Sequence, residues 1–306
     1  MSPELSVVIP THNRREFLRA CLDSFEHQSV PGETFEVVVV IDGSTDGTAE
    51  MLTDFASSFE LRVATQPRTG SSAARNTGAG IARGGLLLFV DDDMTASVSL
   101  VSAHLAAHEK QEGITGVGVI ERRIPADADR FARLRAEASR AHYEHLSVRA
   151  LGYLDCYGGN CSVPRSLFAE VGGFLVDLPV LNDLEFAYRL READTRFVFV
   201  PDAVVTEERR DDWREIVADR ELRGRIAVEL HRRDPAIVRE TEFCEYEPLR
   251  GLWLPLRAVC LALRLPPRLV ARLGFLLPVR RWSAAWFSFV FSYSYRRGVA
   301  DAIGAK

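Results

Sequence analysis

Four short apolar runs, each separated by a stretch with helical spacing, constrain the first ninety residues more than any other feature. The runs are Leu5–Pro10, Phe35–Ile41, Leu61–Thr65 and Leu86–Val90. They are rich in branched residues and, in the second and fourth runs, apolar on both faces, as strands covered on both sides must be. Between them, Phe17, Leu18, Cys21, Leu22 and Phe25 recur at helical spacing within residues 14–28, Met51, Leu52 and Phe55 mark a second helix, and residues 71–82 form a third, Ala-rich one. The alternation predicts an α/β fold: a mostly parallel, Rossmann-like central sheet flanked by helices, with right-handed crossovers.

Beyond Asp93 the alternation weakens. The pattern predicts a helix over about 97–110, a strand over 114–121, a charged helical stretch over 127–149, a helix over 181–193, a strand over 196–201 and a polar helix over 211–233. Asn182 or Asp183 is placed to cap the 181–193 helix. No internal repeat and no low-complexity linker is present.

Sheets of this kind bind ligands beyond the carboxyl ends of their strands. Thr11, His12 and Asn13 follow the first strand, Asp42, Gly43 and Ser44 the second, and Asp91, Asp92 and Asp93 the fourth. Three polar clusters from distant parts of the chain therefore meet along one edge. Three adjacent carboxylates repel one another unless something positive is present. They suit Mg²⁺ or Mn²⁺, and equally a solvated loop.

The segments SVVIPTHNRREFLRACLDSFEHQ, VVVVIDGSTDGT, AARNTGAGIARGGLLLFVDDDM, GGNCSVPRSLFAEVGGF and NDLEFAYRL occur in order over about residues 4–205. In sequence and spacing they resemble family 2 glycosyltransferases of the GT-A fold. The resemblance implies an inverting, metal-dependent transferase that takes a sugar from a UDP, GDP or dTDP donor. Asp91, Asp92 and Asp93 look like the DxD motif, with Asp93 as the Mg²⁺ or Mn²⁺ ligand, Asp91 toward the sugar or ribose, and Asp92 in the variable place. Asp42 matches the aspartate that reads the base, with Ile41 standing where a first acid is usual. Pro10, Thr11 and Asn13 look like the segment lining the nucleoside, and Arg75 like the basic position near the donor. Asp183 matches the general base, which must take the proton of the acceptor hydroxyl. Asn182 replaces the usual Glu beside it. Gly159 and Asn160 resemble the acceptor-side loop. Thr206 and Glu207 stand where many relatives carry a metal-binding His, so Glu207, like Asp91, is a further candidate oxygen ligand.

Other signals carry less. GAGIARG (78–84) precedes a strand instead of following one, so it is no dinucleotide fingerprint. His104 and His108 lack the glutamate of a zinc protease and read as a packed or solvated pair. Five cysteines match no zinc or disulfide spacing and suggest reduced thiols in a cytoplasmic protein. The amino terminus shows no signal-peptide pattern. The net charge of −5 gives no sign of a nucleic-acid partner.

Charge is unevenly spread. Residues 248–306 hold ten Lys/Arg and a single acid, Asp301. Their longest uncharged run, Trp282–Tyr295, is shorter than the roughly 20 residues of a membrane span. Leucines, aromatics and arginines in this mixture suit helices lying in a membrane interface; a helical subdomain packed on protein is the alternative. The expected organisation is a catalytic domain over 1–245, with a donor half to about 95 and an acceptor half over about 96–210, followed by a basic amphipathic tail over 246–306. That tail would place the enzyme peripherally on the cytoplasmic face of a membrane, near a lipid-linked or cell-envelope glycan acceptor. A nucleotidyltransferase and an inactive nucleotide-sugar-binding scaffold are the competing functions. The first usually needs a glycine-rich phosphate loop after the first strand, and PTHNRRE has no glycine.

Overall fold

The computed structural model describes residues 2–207, 212–237, 253–274, 276 and 280–304. Cys244 and the expected boundary at 245–246 lie outside the described residues.

The four predicted strands form as β1 (Leu5–Thr11), β2 (Phe35–Asp42), β3 (Glu60–Gln66) and β4 (Leu86–Val90). They lie parallel in the order β3-β2-β1-β4. The sheet continues with β7 (Asn160–Pro164), β6 (Ile114–Arg122), β8 (Arg196–Glu207) and β5 (Met94–Ala96), to eight strands in all. β7 runs antiparallel to both neighbours, β4 and β6, and β5 runs antiparallel to β8. The sheet is therefore parallel in its first half and mixed in its second.

Alternation along the strands sorts the helices into two layers. Val7, Ile9, Val37, Val39, Leu88 and Val90 share a buried face with α1 (Arg15–Phe25), α2 (Thr48–Thr53) and α4 (Leu100–Lys110). The opposite face meets α3 (Ser71–Ile81), where a Cβ added to Gly78 would lie 2.5 Å from Val8 Cγ1. The small residues of TGAG thus let helix and sheet approach closely. On the same side Phe89 packs on Phe168 of α6 (Arg165–Glu170), Phe174, and Phe186 of α7 (Asn182–Glu192), at centroid distances of 5.4, 5.1 and 6.4 Å.

β8 extends six residues past the expected end at Pro201. Between Val117↔Phe199 and Val119↔Val204 the β6–β8 register shifts, so Gly118 faces the irregular stretch around Pro201. The bulge absorbs a proline that could not sit in a regular ladder.

The chain divides into two compact units, one of residues 1–123 and 138–209 and the other of 124–137 and 210–306. The second is thus larger than a 246–306 tail. It contains the start of α5 (Arg130–Leu146), α8 (Trp213–Arg233), α9 (Trp253–Ala262), α10 (Pro267–Gly274) and α11 (Arg280–Gly304). Gly224 of α8 and Gly298 of α11 pack against the partner helix backbone with no room for a Cβ. Phe131, Val217, Phe289, Val290 and Tyr293 are buried in a core of its own. The described residues of the tail are helical and contribute to this core. No helix among the described residues is long and apolar enough to cross a membrane.

Candidate functional site

The site lies at the carboxyl edge of the sheet, where chain order reverses between β1 and β4. Paired residues run only from Leu5↔Leu86 to Val8↔Phe89 along β1–β4. Pro10, which has no N–H to give, stands beyond that ladder, and the strands part there. Crevices of parallel sheets open at such switch points.

Side chains tie the three polar clusters together. Thr11 Oγ1 donates to Asp92 Oδ2 at 2.8 Å, joining the end of β1 to the end of β4. Asn13, at φ 51°, accepts at Oδ1 from Thr45 N–H at 2.8 Å, and its own N–H donates to Ser44 Oγ at 3.0 Å. Asp42 holds the loop after β3: Oδ1 accepts from Gln66 Nε2 and Thr69 N–H, and Oδ2 from Gly70 N–H, each at 2.8 Å. Burial acts to raise its pKa, but these hydrogen bonds outweigh burial and hold the carboxyl below its usual range.

Two arginines answer the charge of the three aspartates. Arg75, on the buried side of α3, donates from Nη2 to Asp91 Oδ1 at 2.5 Å. Arg14 donates from Nη1 to both Asp92 Oδ1 and Asp93 Oδ2, at 2.9 Å each. Compensation at Asp93 is incomplete. Burial, reinforced by Asp91 and only partly offset by Arg14, with Asp92 and Glu207 adding to it, pushes its carboxyl up to about 7.

The segment before β7 closes on these groups through two glycines. The β4–β7 register pairs Val90 with Asn160, so Gly159 falls opposite Asp91. A Cβ on Gly159 would lie 2.6 Å from Met94 Cε and 3.1 Å from Asp91 Oδ2. One on Gly158 would lie 3.5 Å from both Asp183 Cβ and Arg75 Cζ. Asp183, Arg75 and Asp91 thus surround one two-glycine floor.

Asp183 is not an N-cap. That place belongs to Leu181, in the left-handed region at φ 61°, with no side-chain cap bond. Asp183 sits inside the first turn, where Oδ1 accepts from Leu184 N–H at 2.9 Å. Asn182 Nδ2 donates to Ser72 Oγ at 2.7 Å and ties α7 to α3.

Asn160 turns inward. It is 1% exposed, and Nδ2 donates to Val119 O at 3.0 Å and to Ala203 O at 2.9 Å, across the β6–β8 bulge. Its Oδ1 lies 2.9 Å from His104 Nε2. Its amide thus serves the sheet, while the adjacent Gly159 serves the floor.

The donor chemistry of the acids fits a divalent cation: hard carboxylate oxygens at one strand end, with Glu207 close enough on β8 to act on Asp93. Glu207 itself pairs with Arg122. Among the described residues no three His, Cys, Asp or Glu side chains converge as a ready ligand set.

Sequence reasoning passed over Arg14 and Asn76. Asn76 grips the Phe174 backbone from both sides, Nδ2 donating to its oxygen at 2.8 Å and Oδ1 accepting its N–H at 2.9 Å. Both residues stand inside the motif segments already singled out, next to Asn13 and Arg75.

Residues 6–172 match the family model described as glycosyl transferase family 2. The chain belongs to that family. It is 32% identical over 216 residues to a validoxylamine A glucosyltransferase from Streptomyces hygroscopicus subsp. limoneus, covering 61% of this chain and 48% of that enzyme. It is 36% identical over 116 residues to a poly(ribitol-phosphate) beta-glucosyltransferase from Bacillus spizizenii, covering 37% and 18%. The chain spans half or less of the length of these curated relatives. The fold of this family member matches the mannosyltransferase PcManGT from Pyrobaculum calidifontis, solved with GDP-Man and Mn²⁺. The TM-score is 0.68 at 19% identity, over 100% of this chain and 88% of that one. The fold is the GT-A type.

Proposed function

We propose that this chain is an inverting glycosyltransferase that moves a sugar from a nucleoside diphosphate sugar to a hydroxyl of a lipid-linked or cell-envelope glycan. The observation that supports this best is the meeting of Asp91, Arg75 and Asp183 around the Gly158–Gly159 floor. It puts a candidate base beside the acids that would face a donor diphosphate. Pro10, Thr11, Asn13 and Asp42 would line the nucleoside; Oδ2 of Asp42 takes one protein hydrogen bond and keeps capacity for another. Asp93 would hold Mg²⁺ or Mn²⁺, with Asp91 and Glu207 as further oxygens. When bound, the cation would neutralise the leaving diphosphate. Arg75 holds Asp91 in place through its hydrogen bond. Asp183 takes the acceptor proton as the hydroxyl attacks the anomeric carbon from the face opposite the diphosphate, so configuration inverts.

The test is a thermal-shift screen of UDP-, GDP- and dTDP-sugars, each with and without Mn²⁺ or Mg²⁺. A ligand that binds only the native state raises the melting temperature. Stabilisation by one nucleotide class, dependent on cation and lost in Asp93→Ala, is the expected result. No shift with any donor, in folded protein, would overturn the donor-site reading.

The second unit supports a peripheral membrane role. Six of the fourteen large exposed apolar side chains among the described residues are Leu254, Val259, Leu263, Leu269, Leu273 and Leu276, on or beside α9 and α10. Arg264, Arg268 and Arg272 are exposed among them, and residues 253–276 contain no acid. A surface both apolar and cationic suits an anionic bilayer. Sedimentation with vesicles of phosphatidylcholine alone or with phosphatidylglycerol tests this. Binding to the anionic vesicles, abolished by Leu269→Glu with Leu273→Glu, is expected; no binding to either would overturn it.

A further inference from the structure

Arg14 stands between the end of β1 and the start of α1, and a single nitrogen of its guanidinium serves two carboxylates, Asp92 and Asp93, at 2.9 Å each. The acids beneath are nearly sealed, with side chains 4% and 8% exposed, while the arginine side chain is 35% exposed. Arg14 therefore covers the acids on their solvent side and occupies one oxygen of each. Contact through one nitrogen is weaker than the two-point fork of an arginine with one carboxylate, so the guanidinium is held but displaceable.

The local charge is close to balanced without any bound ion. Asp91 is paired with Arg75, Asp92 and Asp93 with Arg14, and Glu207 with Arg122. Four acids face three arginines. A divalent cation arriving alone would give this buried cluster excess positive charge and would compete with Arg14 for Asp93. A cation arriving with a diphosphate would not. The phosphate oxygens return the negative charge and offer the arginine another acceptor of the kind guanidinium prefers.

We propose that Arg14 is a resident counter-cation of the aspartate cluster, which makes binding of the divalent metal conditional on the donor diphosphate. The inference rests on the reading above that Asp93 takes a metal. It places Arg14 as a positioning and gating residue: it keeps Asp92 and Asp93 in place before the donor arrives and yields Asp93 when the diphosphate enters. Linkage then requires metal and nucleotide to tighten each other's binding by the same factor. Most of that factor should vanish when Arg14 loses its charge.

The test is Mn²⁺ binding followed by the electron paramagnetic resonance of the free aquo ion, without sugar or acceptor. Wild type, Arg14→Gln and Arg14→Lys are compared with Mn²⁺ alone, then with UDP, then with GDP. The expected result is that Arg14→Gln binds Mn²⁺ alone at least about tenfold more tightly than wild type, as removal of one close like charge requires. Wild type should gain affinity with one of the nucleotides, and Arg14→Gln should gain much less. Arg14→Lys keeps the charge with a shorter reach and should lie between them; melting curves without metal establish that each variant is folded. Should Arg14→Gln fail to fold, the lysine variant and the nucleotide effect on wild type still decide. Equal affinity of wild type and the folded variants for Mn²⁺ alone, or no nucleotide effect in wild type, would overturn the gating role while leaving a metal at Asp93. Absence of Mn²⁺ binding in every form, with and without nucleotide, would overturn both.

Discussion

The Nδ2 of Asn160 lies 2.9 Å from the carbonyl oxygen of Ala203, across a break in the β6–β8 ladder. The same nitrogen reaches Val119 O, so one side-chain amide supplies donors where the bulge has removed backbone pairing. Asn160→Ala leaves the buried Ala203 carbonyl, the half-buried Val119 carbonyl and His104 each short of a partner. It should cost about 2–4 kcal/mol, the sum of more than one unsatisfied buried group. Urea denaturation monitored by circular dichroism measures this, and an unchanged midpoint would refute the stitching role.

Asp183→Asn keeps the size of the side chain and an oxygen for Leu184 N–H, so the fold should survive. It removes the basic group. Transfer should fall by about 10²–10⁴-fold, the usual contribution of a positioned base, with nucleotide affinity unchanged. Activity at the wild-type level would show that Asp183 serves only the helix terminus.

Gly158 and Gly159 should respond differently to a methyl group. At Gly159 the new Cβ meets the flexible end of Met94 at 2.6 Å and Asp91 Oδ2 at 3.1 Å. Gly159→Ala should therefore cost about 1–3 kcal/mol and displace Asp91, with a loss of turnover. At Gly158 all neighbours stand at ordinary contact distance, so Gly158→Ala should melt close to wild type while narrowing the gap between Arg75 and Asp183. Melting temperatures alongside turnover separate the two.

Acid should destabilise the first unit through its buried histidines. Burial pushes His104 and His108 down to about 4, below the ordinary value of 6.5. The fold favours their neutral forms, so their contribution is complete above about 6.5 and is lost as pH falls toward about 4. Asp93, raised to about 7, acts in the opposite sense over much of the same range. Burial also raises Asp92 and lowers His142, so three histidines against two carboxyls leave a net loss on acidification, at most about 1.4 kcal/mol per pH unit for each group. Denaturation midpoints at pH 7.5, 5.5 and 4.5 check this; His108→Asn should show a shallower slope than wild type.

The first half of the sheet was readable because Val7, Val8, Val37–Val40 and Leu86–Val90 are apolar on both faces, and only a covered parallel strand tolerates that. The edge where Thr11, Asp42 and Asp91 gather followed from strand direction alone. β5 was missed because three residues show no period. The true extent of β8 was missed because Pro201 ordinarily ends a strand, and only the bulge opposite Gly118 lets it continue. Asn160 was placed by motif on the acceptor side; which way a strand residue points depends on register with β4 and β6, and that is a property of the assembled sheet. Arg14 escaped for a related reason: a counter-cation is defined by what it faces, and Asp92 lies 78 residues away.

The insertion of antiparallel β7 between β4 and β6 bears on how such a chain can diversify. Asp91 and Gly159 follow on neighbouring strand ends in one continuous ladder, so the spacing between the aspartate cluster and the two-glycine floor is set by backbone. The segments after β1 and β2, and the approach to α7, are held instead by side-chain hydrogen bonds at the rim. Rim loops can therefore be exchanged while the central span of the sheet keeps its spacing.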